Sequence, residues 1–385
     1  MPGFEVIGTE EQAEIDDIFR RGGVLFRHGF DALRHDCYKV RDFERAFADY
    51  MKVPHALAVT SGTAALRVAL AVLDLQPGDE VITQSFTFVA TAEAIIEARA
   101  VPVCCEVDAT LNMDPADLEA RITPRTRAVI AVHMLGTPAK LREIAAVCQR
   151  HDLVLIEDAA WGCGGSLDGR ALGTWGRMGT FSFDFAKTMT TGEGGMVVFR
   201  DRRDYERAAA WHDHGHENNP AVPRWEDTRS GSGFNYRMTE LQGAVGIAQL
   251  RKLDDVVRRQ RTNRDAMWRA VVDLPGVVAR EVPSGSHETA DALVFETPSN
   301  SIAREVRGKL VAAGLSTKIL PEAVTWHFAG TWTHMPELAA RHGDLAAAFP
   351  ATSARLARCV SLPVTVKMDE SAPSRVRDAL QSVLA

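Results

Sequence analysis

The chain has little that would tie it to an oxidising compartment, a membrane or a nucleic acid. Its six cysteines, Cys37, Cys104, Cys105, Cys148, Cys163 and Cys359, include no CxxC pair. Neither a disulfide framework nor a zinc knuckle is therefore indicated, and buried free thiols in a reducing cytosol are expected. No apolar run is long enough to span a bilayer. The opening MPGFEVIGTEEQAEID is acidic and has no apolar segment, so it does not read as a signal peptide and a cytoplasmic location is expected. Positive charge is in deficit, with 44 Lys and Arg against 51 Asp and Glu and a formal net charge of −7. No basic stretch offsets this, which argues against nucleic acid as a partner. Repeats, low-complexity tracts and His/Cys/Asp sets with metal-ligand spacing are also missing.

What is present is ordinary for a globular protein: 46% hydrophobic and 25% charged residues. At 385 residues two lobes are expected, a large domain over 1–260 and a smaller one over 261–385. Short apolar runs alternate with helical stretches from about 55 to 200. HALAVT, DEVITQS, VPVCCEVD, RAVIAVHML and LVLIED read as strands covered on both faces, with helices between them, which predicts an α/β domain with a largely parallel sheet. TFSFDFA (180–186) alternates instead, so Phe181, Phe183 and Phe185 are expected on one buried face and Ser182 and Asp184 on the other. GMVVF (195–199) reads as the return strand. Residues 200–236 are polar and read as an irregular loop of the kind that often carries function. A long helix is expected over 239–274, joining the lobes, and the tail reads as a smaller α/β unit.

Three features carry chemistry. SGTAAL (61–66) opens a helix after a strand. Free N–H groups there, the hydroxyls of Ser61 and Thr63, and Gly62 allowing close approach suit a phosphate, although a plainly capped helix would look the same. Asp158 ends the strand LVLIED, where ligands of open α/β sheets gather; it can hold a cationic partner or simply cap the segment after it. Lys187, in SFDFAKTMTTGEGG (182–195), stands between phenylalanines and glycines. A lysine in such a pocket can form a Schiff base, whereas a strand-end lysine usually lies on the surface. Together, phosphate cup, strand-end acid and pocket lysine are what pyridoxal phosphate (PLP) requires. Phe88, after the next strand, can stack on its ring or belong to the core.

SGTAAL, SFTFVATAEAI, HMLGTPA, EDAAWGCGG, SFDFAKTMTTGEGG, DHG and GFNYRMTELQGAVGIAQL, in that order, resemble the DegT/StrS sugar aminotransferase family. The resemblance implies the α/β fold of the PLP-dependent transferases, fold type I: a large domain with a mostly parallel mixed sheet and a small C-terminal α/β domain. It implies a transaminase, with glutamate the expected amino donor, acting on a keto or aldehydo sugar. Lys187 matches the Schiff-base lysine, which some dehydratase relatives replace by histidine. Asp158 matches the partner of the ring nitrogen, Gly62, Thr63 and Ser182 the phosphate contacts, and Phe88 the stacking aromatic. Asn235 matches a residue reaching the phosphate from a second subunit, so a homodimer with a shared site is expected. Trp161 departs from the family, whose members usually carry Gln or His there to meet the ring oxygen; Trp has one donor and no acceptor. Asp184 stands where His is frequent, either to orient a substrate hydroxyl or to face solvent. MPGFEVIG, FRHGFDALRHDCYKVRDFE, DHGHENN and WHFAGTWTHMPEL are similar to the branch making 8-amino-8-deoxy octulosonate. On that reading His214, His216, Arg224, Arg229 and His327 suit a carboxylated substrate. Nucleotide-linked keto sugars and keto-cyclitols are the alternatives, as is a PLP-dependent sugar dehydratase or other non-transaminating enzyme.

Overall fold

The computed structural model describes residues 2–219 and 221–384. In chain order the strands of the first part are β1 (His55–Val59), β2 (Glu80–Gln84), β3 (Val101–Cys105), β4 (Thr126–Val132), β5 (Val154–Asp158), the hairpin β6 (Ser166–Leu167) and β7 (Arg170–Ala171), β8 (Met178–Ser182) and β9 (Gly195–Phe199). Seven of them form one sheet in the order β1-β9-β8-β5-β4-β2-β3. β9 runs antiparallel to both neighbours, and the remaining pairs are parallel. The sheet is therefore mixed and mostly parallel, as expected.

Alternation along each strand explains why these runs are apolar throughout. Leu57 and Val59 enter one core layer, while Ala56 and Ala58 enter the other. Ala128, Ile130 and Val132 likewise face the first layer, and Val129 and Ala131 the second. With successive side chains on opposite faces and helices covering both, neither face can be polar.

The strand expected over 180–186 stops at Ser182. Phe181 and Phe183 do bury in the second layer, but Phe185 is 42% exposed and leans on Phe4, ring centroids 4.8 Å apart. The reason is a turn at Asp184. Its Oδ1 accepts the Ala186 N–H at 2.9 Å and its carbonyl accepts the Lys187 N–H at 3.0 Å. The backbone leaves the ladder there and the period of two ends. Residues 200–236 also differ from the expected loop, since they open with the helix Arg202–Trp211, capped by the Asp201 carboxylate, which accepts the N–H groups of Arg203 and Asp204. Charge on nearly every residue of RRDYER hid its helical face.

The helix Glu240–Val271 has 32 residues, about 48 Å of helix at 1.5 Å per residue. Its first half buries Ile247, Leu250 and Leu253 in the second layer, and its end buries Met267 and Val271 in a third core. That third core is built on β10 (Val278–Ala279), β12 (Ala292–Glu296) and β13 (Cys359–Pro363), a small antiparallel sheet, while β11 (Ser286–His287) joins β6 and β7. The segment between β12 and β13 returns to the large sheet, where Phe328, Trp332, Leu338 and Phe349 pack in the first layer.

Glu157, on β5, ties the sheet to the loop before β8. Its carboxylate accepts the N–H groups of Gly173 (2.8 Å), Trp175 (2.5 Å) and Gly176 (2.8 Å). His133 Nε2 lies 3.0 Å away, and because His133 Nδ1 accepts the Ala139 N–H, the neutral ring carries its proton on Nε2 and donates to Glu157. Glu157→Gln weakens these charge-assisted bonds and turns one acceptor into a donor facing N–H groups. It should destabilise the protein by about 1–3 kcal/mol, read as a lower urea midpoint at unchanged slope; an unshifted midpoint would show that the loop is held elsewhere.

Candidate active site

Parallel strands end at the same edge of a sheet, and four of these ends meet at one hollow. β5 ends at Asp158 and β8 at Ser182. β1 leads through Thr60 and Ser61 into the helix Gly62–Ala71, and β2 leads to Phe88. They open on a cavity of about 320 Å³ whose lining includes Gly62, Thr63, Phe88, Asp158, Trp161, Ser182, Asp184, Lys187, Glu193 and His327. That volume is at the small end of ligand pockets, about 300 to 1,000 Å³. Larger concavities around Arg170 and His287, around Arg45 and Tyr205 and around Arg127 and His151 lie away from this edge.

Ser61 caps the helix, its hydroxyl accepting the Ala64 N–H at 3.0 Å. Gly62 is required by space: a Cβ there would lie 2.7 Å from Ser182 Cβ. The helix start is thus pressed against the end of β8, with the Ser182 hydroxyl beside its free N–H groups. Asp158 is buried and receives the Thr91 hydroxyl and the Ala160 N–H, both at 3.1 Å. Burial pushes its carboxyl above the usual range, against the pull of these bonds and of Lys187. A cationic neighbour would restore its ionised form.

Lys187 follows the Asp184 turn. Its Nζ lies 3.6 Å from the centroid of the Trp161 ring. Desolvation lowers its pKa to about 8, with Asp291, Asp158 and Asp184 pulling the other way. A strand-end surface lysine would show none of this. Trp161 presents its ring face to that amine. Asp184 is accounted for in part: it shapes the turn that carries Lys187 and also lines the cavity. Phe88 lies nearly parallel to Trp326 (8°, centroids 6.1 Å) and 5.4 Å from the His327 ring. The Thr87 N–H donates to the His327 carbonyl and the Val89 N–H to that of Trp326, both at 2.9 Å. Burial pushes the His327 imidazole down to about 4, and its buried Nδ1 has no partner among the described residues.

The other proposed substrate contacts do not reach this cavity within the chain. His214 is exposed in a left-handed conformation (φ 56°) and Arg229 is exposed. His216 is buried with its Nδ1 3.2 Å from Asp227. Asn235 is exposed and bridges to Asp213. Asp213 organises the segment: it is buried and binds Arg224, Arg237 and His28, so Arg224 is spent on an ion pair. A stretch rich in His and Arg is here a knot of internal pairs. Sequence reasoning missed Lys318 and Asp291, which approach Trp161 from the small-sheet side. Nothing local marks them, since 130 or more residues separate them from Trp161.

The donor set fits PLP. The Gly62–Ser182 cradle suits a phosphate, buried Asp158 suits a protonated ring nitrogen, and Lys187 has an amine of lowered basicity on the same cavity. Comparisons agree. The family model described as DegT/DnrJ/EryC1/StrS aminotransferase family matches residues 31–381. GDP-perosamine synthase of Caulobacter vibrioides is 43% identical over 215 residues, 56% of this chain and 57% of that protein, so the match spans little more than half of it. The dTDP-4-dehydro-2,3,6-trideoxy-D-glucose 4-aminotransferase of Saccharopolyspora spinosa is 34% identical over 322 residues, 81% of each chain. In structure, the aminotransferase TlmJ of Streptoalloteichus hindustanus superposes with a TM-score of 0.85 at 27% identity, over 98% of this chain and 97% of that one. The fold is that of the PLP-dependent type I transferases.

Two outcomes are expected. Gly62→Ala forces the helix start away from Ser182 and should weaken PLP binding roughly tenfold, worth about 1.4 kcal/mol, by equilibrium dialysis; unchanged affinity would remove the cradle from the site. Lys187→Met should raise the thermal midpoint of the cofactor-free protein at pH 7, where folding desolvates an ammonium. Because the folded pKa, about 8, lies below the unfolded value, the wild type binds fewer protons folded than unfolded in between. Its stability then rises with pH through that window, and the gap between the two proteins should close by about pH 10.5. A gap independent of pH would mean that the amine is not desolvated.

Proposed function

This chain belongs to the DegT/DnrJ/EryC1/StrS aminotransferase family, and from that premise we propose that it transfers an amino group from an amino acid to the carbonyl of an oxidised sugar. The observation that carries this reading is a single cavity lined by a lysine of lowered basicity, a buried strand-end acid and a glycine-cradled helix start. When bound, PLP supplies an electron sink that lets the bond from the amine-bearing carbon to its hydrogen break. Lys187 would hold the cofactor at its aldehyde carbon, and its amine, once freed, would move the proton between the donor's amine-bearing carbon and that cofactor carbon. Asp158 keeps the ring nitrogen protonated. The N–H groups of Gly62 and Thr63 and the Ser182 hydroxyl would hold the phosphate, and Phe88, on the same cavity, would supply an aromatic contact to the ring. Trp161 replaces a polar contact to the ring oxygen with an apolar face. Asn235, exposed and off its own chain's cavity, is assigned to the site of a second copy in a homodimer. No described helix is long and apolar enough to cross a membrane, and a cytoplasmic location belongs to this reading.

For the acceptor, a nucleotide-linked keto sugar is the reading that the name of the Saccharopolyspora relative supports, with glutamate as donor. A free 8-oxo octulosonate is the second reading. It rests on the resemblance of residues 1–8, 26–44, 213–219 and 326–338; His327, in the last of these, lines the cavity and is the contact proposed for that sugar's acid group.

Purified protein loaded with PLP should release 2-oxoglutarate from glutamate in a single half-turnover, with loss of the visible band of the bound cofactor. Lys187→Ala should slow this by three or more orders of magnitude, as loss of a central group does. The amino form should then be returned by one acceptor class and not the other. No amino release from any amino acid would favour a dehydratase or another non-transaminating PLP enzyme.

A further inference from the structure

Two lysine nitrogens share one indole. Lys187 Nζ lies 3.6 Å and Lys318 Nζ 4.5 Å from the Trp161 ring centroid. The two nitrogens are therefore within about 8 Å of each other, close enough for strong mutual repulsion where water is excluded. Lys318 is fixed: its N–H donates to the Ser361 carbonyl at 2.7 Å and its Nζ pairs with Asp291 Oδ2 at 2.5 Å. Asp291 is buried, and its Oδ1 is enclosed with no hydrogen-bond partner among the described residues. Asp291 is held too, its carbonyl accepting the Val364 N–H at 3.1 Å. Its neighbour Thr289 donates its hydroxyl to the Trp161 carbonyl at 3.1 Å. The small sheet thus brings a buried acid, already bonded to one lysine, up to the amine of another.

A buried carboxylate lacking a partner costs several kcal/mol, so without Lys318 Asp291 would take Lys187 as its counter-ion. An amine so paired stays protonated and has no lone pair for bonding to a carbonyl. We propose that Lys318 is a positioning residue that occupies Asp291 and so leaves the Lys187 ammonium easier to deprotonate near neutral pH than a carboxylate-paired lysine would be. The charged and titratable groups facing Lys187 are Asp291, Lys318, Asp158, Asp184 and His327. After desolvation, Asp291 is the strongest influence favouring the ammonium and Lys318 the one opposing it. Trp161 fits this role. Its face attracts both cations through the ring quadrupole, but more weakly than a buried carboxylate at that position would hold the proton.

The inference rests on Lys187 being the working amine, and the test separates the two claims. Cofactor-free protein is labelled with trace acetic anhydride from about pH 6 to pH 11, bracketing the lysine range, and modification of Lys187 is read by peptide mass spectrometry against exposed Lys367. In Lys318→Met the titration midpoint of Lys187 should rise by about one unit or more, a roughly tenfold loss of reactivity at neutral pH. Lys318→Arg, which keeps the cation on Asp291, should restore it, and so should Lys318→Met combined with Asp291→Asn. Asp291→Asn alone should lower the midpoint and serves if Lys318→Met does not fold. An unmoved midpoint in Lys318→Met and in Asp291→Asn, or a double variant no better than Lys318→Met, would overturn the proposal. Because the labelling needs no PLP, a protein that failed to bind PLP through Lys187 would lose the functional reading and still report this proton balance.

Discussion

The parallel pairing of β5 with β8 is the constraint on which the site depends. It sets Asp158 opposite Thr180, two residues before Ser182, so the acid and the cradle share one edge of the sheet. β9 then separates β8 from β1, and glycines make that spacing possible. A Cβ on Gly195 would lie 2.3 Å from the Ser61 carbonyl oxygen, and one on Gly62 would meet Ser182. Adjacent strands lie about 4.8 Å apart, so the distances between acid, hydroxyl and helix start are set by backbone pairing and do not rely on flexible side chains. Glu157 serves the same pairing from the opposite face, binding the loop that delivers the chain into β8.

On that frame the chemistry is a problem of buried charge. The cavity holds acids and amines that water would otherwise solvate. Desolvation pushes Asp158 up and Lys187 and His327 down. A bound cofactor with a cationic ring nitrogen and an anionic phosphate has the charge pattern that offsets this cost. The small domain takes part in the balance: its Asp291–Lys318 pair reaches Trp161, and the 326–328 segment closes over Phe88. The Trp161 ring faces both lysines.

Much of the fold was legible because its signals are local. Apolar runs of strand length alternating with helical stretches specify a covered sheet, and composition and period mark the helix at 240–271 and the strand at 292–296. Where reading failed, a local rule was overridden. Phe185 obeyed the alternation of its neighbours until the Asp184 turn ended the strand. The helix at 202–211 has charges around most of its surface, with only Ala208 and Ala210 among its apolar residues fully buried. The histidines and arginines of 213–229 looked like substrate contacts because composition does not say which partner a charge will find: Asp227 took His216 and Asp213 took Arg224, while His214 and Arg229 are exposed.

By itself the sequence determined the α/β class, the strand end at Asp158, the Gly62 helix start, the segment that carries Lys187, and the family. Each is encoded in a contiguous stretch whose meaning depends on short-range backbone geometry. Only the tertiary structure decided which polar groups share the cavity, that Trp161 offers its face to the lysine amine, and that Lys318 and Asp291 stand beside it. Those relations join residues from about 26 to more than 150 positions apart, and burial, which decides how strongly one charge acts on another, exists only once the chain has closed around them.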